Sequence, residues 1–219
     1  MSRTIAIGDI HGCIAALDAL LREIKPATDD TLVFLGDYID RGPDSAEVVR
    51  RIVGLHTMCE VVTLQGNHEA MLLMGIDDPS QLNFWLTYGG KETLASYGNS
   101  IDDIPEEHVT FFRECKLYHE IDDYFFVHAN YTPTLPLEDQ PEYAMLWEHL
   151  SVHLPTQHLS GKRAVVGHTP QPNGEVLVLE QLICIDTHCY GEGYLTALDV
   201  ESQTIWQADK DGALRDVEV

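Results

Sequence analysis

Basic residues are scarce in this 219-residue sequence: 13 lysines and arginines stand against 36 aspartates and glutamates, for a net charge of −23. A protein that binds nucleic acid irrespective of sequence needs a basic face, and so few positive charges argue against one. They also argue against a polybasic segment for a membrane surface. So acidic a chain repels phosphorylated substrates unless a bound divalent cation reverses the local field. We therefore expect no nucleic-acid partner and no membrane partner.

Cysteines are few, and apolar runs are short. The five cysteines are odd in number and widely spaced, without a Cys-x-x-Cys pair, which indicates neither a disulfide framework nor a thiolate zinc site. We expect reduced thiols that are mostly buried. No apolar run approaches the ~20 residues of a membrane helix, and the first one stops at Gly8, too early for a signal peptide. The sequence therefore predicts a cytoplasmic protein.

Strand-like and helix-like segments alternate in the N-terminal third. The strand candidates are 4–7, 31–35 and 61–64, and the helix candidates are 14–24, 45–55 and 69–74. This order predicts right-handed crossovers and a largely parallel sheet. Residues 77–118 suggest short helices, and the chain beyond 117 is rich in short strands with turn signals, which favours antiparallel pairing. The length fits one α/β domain over residues 1–219.

Polar residues of metal-binding type follow five of the strand candidates. In an open α/β sheet ligands gather beyond the carboxyl ends of the strands, so these residues are expected to converge on one edge. With a second ligand after the first strand they number six: Asp9, His11, Asp37, Asn67, His128 and His168. Such oxygen and imidazole donors suit manganese, iron or zinc. Six ligands exceed what one catalytic ion needs, but fit a pair of ions that share one carboxylate.

Each of these residues has an ordinary structural explanation when taken alone. Asp9 could be a helix N-cap, Asn67 a turn residue, and either histidine an interior residue with its hydrogen bonds satisfied. All six together at strand ends favour a metal site. The remaining histidines lack this placement, and most are expected at the surface: His56, His108, His119, His149, His153, His158 and His188.

The ordered motifs resemble the phosphoprotein phosphatase branch of the calcineurin-like metallophosphoesterases. They are Gly8-Asp9-Ile10-His11-Gly12, Gly36-Asp37-Tyr38-Ile39-Asp40-Arg41-Gly42, Gly66-Asn67-His68-Glu69, Val127-His128-Ala129 and Gly167-His168-Thr169. The resemblance implies a four-layer α/β/β/α sandwich with two mixed sheets and two divalent metal ions. Manganese is the first expectation, with iron or zinc as alternatives.

The resemblance also implies roles for the site residues. Asp9 and His11 would hold one ion, Asn67, His128 and His168 the other, and Asp37 both. A hydroxide between the ions would attack phosphorus in line. His68, paired with Asp40, would be the general acid, and Arg41 would bind the phosphate oxygens.

Two positions depart from the family pattern. Bacterial relatives often have a second phosphate-binding arginine in a Trp-x-Arg motif, where this chain has Trp147-Glu148-His149. Either His149 partly replaces it, Arg163 or Lys162 reaches the site, or binding is weaker. His188 stands where relatives often have glycine, near the expected pocket rim. Arg41, Asn67, His149 and His188 are therefore the expected substrate-binding residues.

Several functions remain open on the sequence. The first expectation is a metal-dependent phosphomonoesterase acting on phosphoserine and phosphothreonine in proteins, and a small phosphoester is the other kind of substrate. The alternative is hydrolysis of diadenosine tetraphosphate, because Arg41-Gly42-Pro43-Asp44-Ser45 also resembles that branch. Asp40 argues mildly against it, since those relatives tend to carry asparagine. A nucleotide phosphodiesterase and a metal-free scaffold fit less well, since the chain keeps all six ligands.

Overall fold

A computed structural model describes residues 2–216 of the chain. The strands are β1 (Thr4–Ile7), β2 (Thr31–Phe34), β3 (Glu60–Thr63), β4 (Tyr118–Glu120), β5 (Tyr124–Val127), β6 (Arg163–Val166), β7 (Leu177–Val178), β8 (Leu182–Cys184), β9 (Asp186–Thr187), β10 (Tyr194–Asp199) and β11 (Ile205–Ala208). The α-helices are α1 (Ile14–Ile24), α2 (Ser45–Leu55), α3 (Asn67–Asp77), α4 (Leu82–Trp85), α5 (Lys91–Tyr97), α6 (Glu106–Glu114) and α7 (Glu142–Trp147).

Both sheets are mixed, as expected. The first has the order β11-β10-β1-β2-β3, with β9 beside β10; β1, β2 and β3 run parallel and β10 pairs antiparallel with β1. The second has the order β4-β5-β6-β8-β7, and its three central strands run parallel. The second half is more antiparallel, as expected: four of its strand pairs, β4–β5, β7–β8, β9–β10 and β10–β11, are antiparallel, whereas β5–β6 and β6–β8 are parallel. The connection from β5 to β6 contains α7, and such a long crossover allows parallel pairing.

Alternating side chains of the strands divide the interior into three apolar layers. Ile5 and Ile7 of β1 pack with the helices α1 and α2, whereas Ala6 between them faces the second sheet. Phe126 of β5 meets that inner layer, and its neighbour Phe125 packs on the outer face with Met145 of α7. This alternation is the period of two that a strand buried on both faces requires. The arrangement is the four-layer sandwich expected from the sequence.

The segment 77–118 forms the expected short helices beside the first sheet. Its middle is irregular: a π-helical turn, Leu86–Gly90, separates α4 from α5, and Gly89 adopts a φ of 112°. Two histidines of the group expected at the surface lie inside. His108 of α6 hydrogen-bonds to Tyr97, and His158 to Ser160 and the Leu135 carbonyl. The residues next to these histidines in the sequence did not indicate the hydrogen-bond partners that allow both to be buried.

The thiols and the helix lengths agree with the sequence analysis. All five cysteines are free, and only Cys115 is not fully buried. Within residues 2–216, every helix is too short or too polar to cross a bilayer.

Candidate active site

The loops that follow β1, β2, β3 and β6 meet around a cavity of about 320 Å³. Five of the six expected metal ligands line it, namely Asp9, His11, Asp37, Asn67 and His168. The sixth, His128 after β5, is fully buried with its Nε2 3.5 Å from Asp37 Oδ1. The structure thus brings together all six residues.

Asp37 stands between two groups of imidazoles. Its Oδ2 lies 3.5 Å from His11 Nε2, and its Oδ1 lies 3.5 Å from His128 Nε2. Two sets of donor atoms include Asp37, one with His11 and His68 and one with His128 and His168, and the atoms of each set lie within 4.8 Å of one another. Burial raises the pKa of Asp37, but the surrounding imidazoles outweigh this and hold the pKa well below its usual range. An ionised carboxylate in this position can serve two cations.

Backbone carbonyls orient the buried imidazoles. His11 Nδ1 lies 2.9 Å from the Ile39 carbonyl oxygen, and His128 Nδ1 lies 2.8 Å from that of Leu35. Each contact leaves Nε2 directed at Asp37, as is usual for histidines that bind metals. Burial lowers the pKa of both residues, and lowers the pKa of His168 to about 3. All three are therefore neutral at neutral pH, which is the form that binds a cation.

Asn67 and His168 complete the second set. One polar atom of the Asn67 side-chain amide lies 3.1 Å from both His128 Nε2 and His168 Nδ1. Asn67 is the first residue of α3, and residues 64–66 separate it from β3, so the start of the helix fixes the amide.

Asp9 has one oxygen without a partner. Oδ2 accepts a hydrogen bond of 3.0 Å from the His168 backbone, whereas Oδ1 is buried with no hydrogen bond. A Cβ at position 167 would come within 2.1 Å of that Oδ1, so only Gly167 leaves room for it. Burial, then the charges of Asp186 and Asp37, raises the pKa of Asp9 well above its usual value. A buried, unpartnered carboxylate oxygen beside other carboxylates fits a cation site.

His68 belongs to the first set of donors, but both of its ring nitrogens have other partners. Its Nδ1 is 2.6 Å from Asp40 Oδ2, and its Nε2 is 3.1 Å from Arg41 Nη2. A guanidinium against Nε2 disfavours a second cation there. The free oxygen of Asp9 is the better match for the first ion.

Glu69 holds two of the loops together. Its carboxylate accepts hydrogen bonds from the backbone N–H groups of Asp37, Tyr38 and Gly66, at 2.8, 2.9 and 2.9 Å. Burial raises its pKa to about 8. Because Glu69 follows Asn67 by two residues, one side chain fixes the Asp37 loop relative to the start of α3.

Asp40 is buried under the short helices of 77–118. Its Oδ2 accepts a hydrogen bond of 2.8 Å from Trp85 Nε1, and its Oδ1 one of 2.6 Å from Thr93 Oγ1. Burial raises the pKa of Asp40. Burial lowers the pKa of His68, but the charges of Asp37 and Asp40 outweigh it, so the net shift is upward. Residues 77–118, to which the sequence analysis gave no role, therefore supply the two donors that hold the Asp40 carboxylate.

Arg41 extends into the cavity between an imidazole and a phenol. Its Nη1 donates to the Tyr190 hydroxyl, and its guanidinium carbon lies 4.5 Å from the centre of the Tyr190 ring. Tyr190 also packs edge-on against His11, with ring centroids 4.9 Å apart. Tyr190 thus fixes the planar fork of Arg41 beside the cavity.

The backbone of the site is strained. His11, Asp37, Asp40, Arg41 and His168 all have positive φ, between 46° and 73°. Side chains with a Cβ rarely adopt this region, and such conformations persist where the surroundings enforce them, often at functional sites.

Asp186, Tyr190, Trp85 and Thr93 were missed by the sequence analysis. Asp186 lines the cavity, and burial raises its pKa to about 7. It directly follows an apolar run, 182–185, so the signal that found Asp9 and Asp37 could have found it. Trp85 and Thr93 carried no such signal, since only packing brings them to Asp40.

Of the three residues proposed to replace the missing arginine, only one lies at the cavity. His149 lines the cavity, and its ring lies 4.3 Å from that of His168. Lys162 instead donates to Glu120, and Arg163 to the Leu179 carbonyl, so neither reaches the site. His188 packs edge-on against Tyr190 and does not line the cavity. The expectation that it contacts substrate directly finds no support in this position.

Comparisons with known proteins agree with this geometry. The family model described as calcineurin-like phosphoesterase matches residues 2–196. A symmetrical bis(5'-nucleosyl)-tetraphosphatase of Nitrosospira multiformis is 31% identical over 146 residues, covering 65% of this chain and 49% of the relative. The same enzyme of Burkholderia thailandensis is 44% identical over 72 residues, 33% of this chain and 25% of the relative. The matches thus span half or less of these curated relatives.

Solved structures share the fold. A candidate diadenosine tetraphosphatase superposes with a TM-score of 0.72 at 23% identity, over 94% of this chain and 92% of that one. A cold-active protein-tyrosine phosphatase of a Shewanella species gives 0.67 at 20% identity, over 97% and 79%. A protein serine/threonine phosphatase of Saccharomyces cerevisiae gives 0.63 at 19%, over 90% and 73%. At such identities the likeness establishes the architecture.

Proposed function

The chain belongs to the calcineurin-like phosphoesterase family, and we propose that it is a metal-dependent hydrolase of dinucleoside polyphosphates such as diadenosine tetraphosphate. The observation that carries the proposal is the name shared by its curated relatives, symmetrical bis(5'-nucleosyl)-tetraphosphatase. This was the alternative in the sequence analysis, where phosphoserine and phosphothreonine in proteins came first. These relatives lend no support to a phosphoprotein substrate, so the dinucleoside polyphosphate now stands as the first candidate substrate.

The metal ligands are proposed as follows. Asp9 and His11 would hold one divalent ion, Asn67, His128 and His168 would hold the other, and Asp37 would serve both. The unpartnered oxygen of Asp9 and the neutral imidazoles directed at Asp37 fit such ions. When bound, the ions supply positive charge to the phosphate oxygens and lower the pKa of the attacking water.

The remaining residues bind the phosphates and move a proton. Arg41 presents a planar fork suited to non-bridging phosphate oxygens. His68, held by Asp40 at 2.6 Å, is placed to give a proton to the leaving oxygen, and the net upward shift of its pKa favours the protonated form. Hydrolysis adds water across one phosphoanhydride bond, so the proton from His68 appears on the leaving nucleotide.

The test compares two substrates on the metal-loaded protein. The kcat/KM for diadenosine tetraphosphate and for a phosphothreonine peptide is measured with Mn²⁺, and chromatography identifies the nucleotide products. We expect preference for the dinucleotide and ADP as the only product, because symmetrical cleavage opens the central bridge. Preference for the peptide overturns the proposal, and AMP with ATP as products rejects the symmetrical course.

Asp37→Asn serves as the matched control. It removes the charge proposed to serve both ions with almost no change in side-chain volume. Metal content and both activities should fall together, which separates catalysis by this site from a contaminating phosphatase.

A further inference from the structure

Two aromatic side chains stand half-exposed at the edge of the cavity. Phe84 is 44% exposed and Tyr88 48% exposed, and their ring centroids lie 5.1 Å apart with planes inclined by 59°. Both line the same cavity as Arg41 and His68. Apolar rings left open to water beside a polar, charged site have surface to offer a ligand.

The fold fixes these rings relative to Arg41. Phe84 lies in α4 and Tyr88 in the π-helical turn that follows, so they are four residues apart on one side of the segment. Between them in sequence, Trp85 turns inward and donates to Asp40. The Arg41 N–H donates to the Gly89 carbonyl at 3.3 Å, and a Cβ at Gly89 would come within 2.7 Å of that nitrogen. This backbone contact places the segment that carries the aromatic pair directly beside Arg41.

A second hollow of about 540 Å³ continues beyond the rings. It shares Arg41 and Tyr88 with the first cavity and is otherwise lined by residues of 86–92, among them Lys91. A ligand longer than a single phosphate can therefore extend from the catalytic cavity across Tyr88. Arg41 lines both cavities, and the charged residues Lys91 and Glu92 line the second.

We propose that Phe84 and Tyr88 form a stacking surface for a nucleobase, so that the site selects phosphoanhydrides that carry a nucleoside over those that do not. The inference rests on the proposed function and names how its substrate is recognised. Every base has a π-face, so stacking tolerates different bases and adds about 1–3 kcal/mol per base, or roughly 5- to 150-fold in affinity. The surface therefore distinguishes nucleotides from bare polyphosphate without choosing strongly among bases.

The experiment measures binding separately from catalysis. Dissociation constants of ATP and of inorganic tripolyphosphate, which carry the same number of phosphates, are determined by calorimetry on the metal-loaded protein. We expect the wild type to bind ATP about tenfold more tightly than tripolyphosphate. In Phe84→Leu/Tyr88→Leu, which keeps apolar bulk without rings, that ratio should fall close to one while tripolyphosphate binding is retained. The swap Phe84→Tyr/Tyr88→Phe keeps both rings and should keep the ratio.

The control and the outcomes separate this inference from the proposed function. Tyr143 is 68% exposed and does not line the cavity, so Tyr143→Ala should leave the ratio unchanged. An unchanged ratio in the Leu/Leu variant, with its circular dichroism intact, overturns the stacking surface even if diadenosine tetraphosphate is hydrolysed. If the wild type leaves that substrate intact but the rings still determine the ratio, the proposed function fails and the nucleobase surface stands.

Discussion

The floor and the rim of the cavity are built differently. The floor, which consists of the six proposed metal ligands with His68 and Asp40, is buried, and short loops after strands hold it through hydrogen bonds to the backbone. The rim, which consists of Arg41, Phe84, Tyr88 and His149, is partly exposed and is held mainly by side-chain packing, with Tyr190 against Arg41. A buried, hydrogen-bonded floor suits a reaction common to a family, whereas a partly exposed rim suits the choice of substrate.

The floor is also costly to fold. It places several carboxylates in one buried volume and keeps non-glycine residues at positive φ, at about 1–3 kcal/mol for each strained residue. The rim has fewer buried charges and fewer strained residues, although the backbone of Arg41 is also at positive φ. Changes to the floor are therefore expected to have larger effects than changes to the rim.

Removal of metal should have the largest effect. Stripping with a chelator is expected to abolish activity, and Mn²⁺ is expected to restore it. The rise in Tm caused by Mn²⁺ should be greater at pH 8 than at pH 6. Asp9 has a raised pKa and Asp186 one of about 7, so at pH 6 protons compete with the cations and at pH 8 they do not. A rise in Tm that is equal at both pH values, measured by calorimetry, contradicts a metal site among these carboxylates.

His68→Asn should reduce kcat by about 10²- to 10⁴-fold, the usual contribution of a general acid. Metal content should remain that of the wild type, because the proposed ligand sets do not include His68. Metal analysis and kcat on a substrate with a poor leaving group check this. Turnover at the wild-type rate on that substrate removes His68 from proton transfer.

Asp40→Asn should reduce kcat by about 10- to 100-fold, since it weakens one charge-assisted hydrogen bond to His68. The direction in pH follows from the same contact. The Asp40 charge raises the pKa of His68, so its removal lowers that pKa, and the basic limb of the kcat profile should move to lower pH. A basic limb at the wild-type position indicates that Asp40 is only structural. Trp85→Phe, which keeps the carboxylate, is the matched comparison.

His149→Arg should have the smallest effect and act on the rim alone. A second cationic fork beside the cavity is expected to lower KM for the dinucleotide by about two- to fivefold, the scale of a partly exposed ion pair. The kcat should change little, because His149 is not in the proposed proton path. A large fall in kcat would instead show that His149 takes part in the reaction together with the residues of the floor.

Local patterns determined much of the fold in the first half of the chain. Alternation of strand and helix in residues 4–74 predicted the parallel strands β1, β2 and β3, because connections of that length and periodicity allow few topologies. The second half was harder. Its strands are short, and the parallel pairing of β5, β6 and β8 depends on which strands meet across long connections.

The residues of the site divide in the same way. A polar residue directly after an apolar strand predicted where Asp9, Asp37, Asn67, His128 and His168 would converge, because parallel strands deliver their carboxyl ends to one edge. The sequence by itself thus determined the proposed metal ligands and the family. Only the tertiary structure decided what surrounds them: Trp85 and Thr93 on Asp40, Tyr190 on Arg41, and Phe84 with Tyr88 at the rim. The contacts to Asp40 and Arg41 join segments 45 to 149 residues apart in the chain, and packing between distant elements leaves no period in the local sequence.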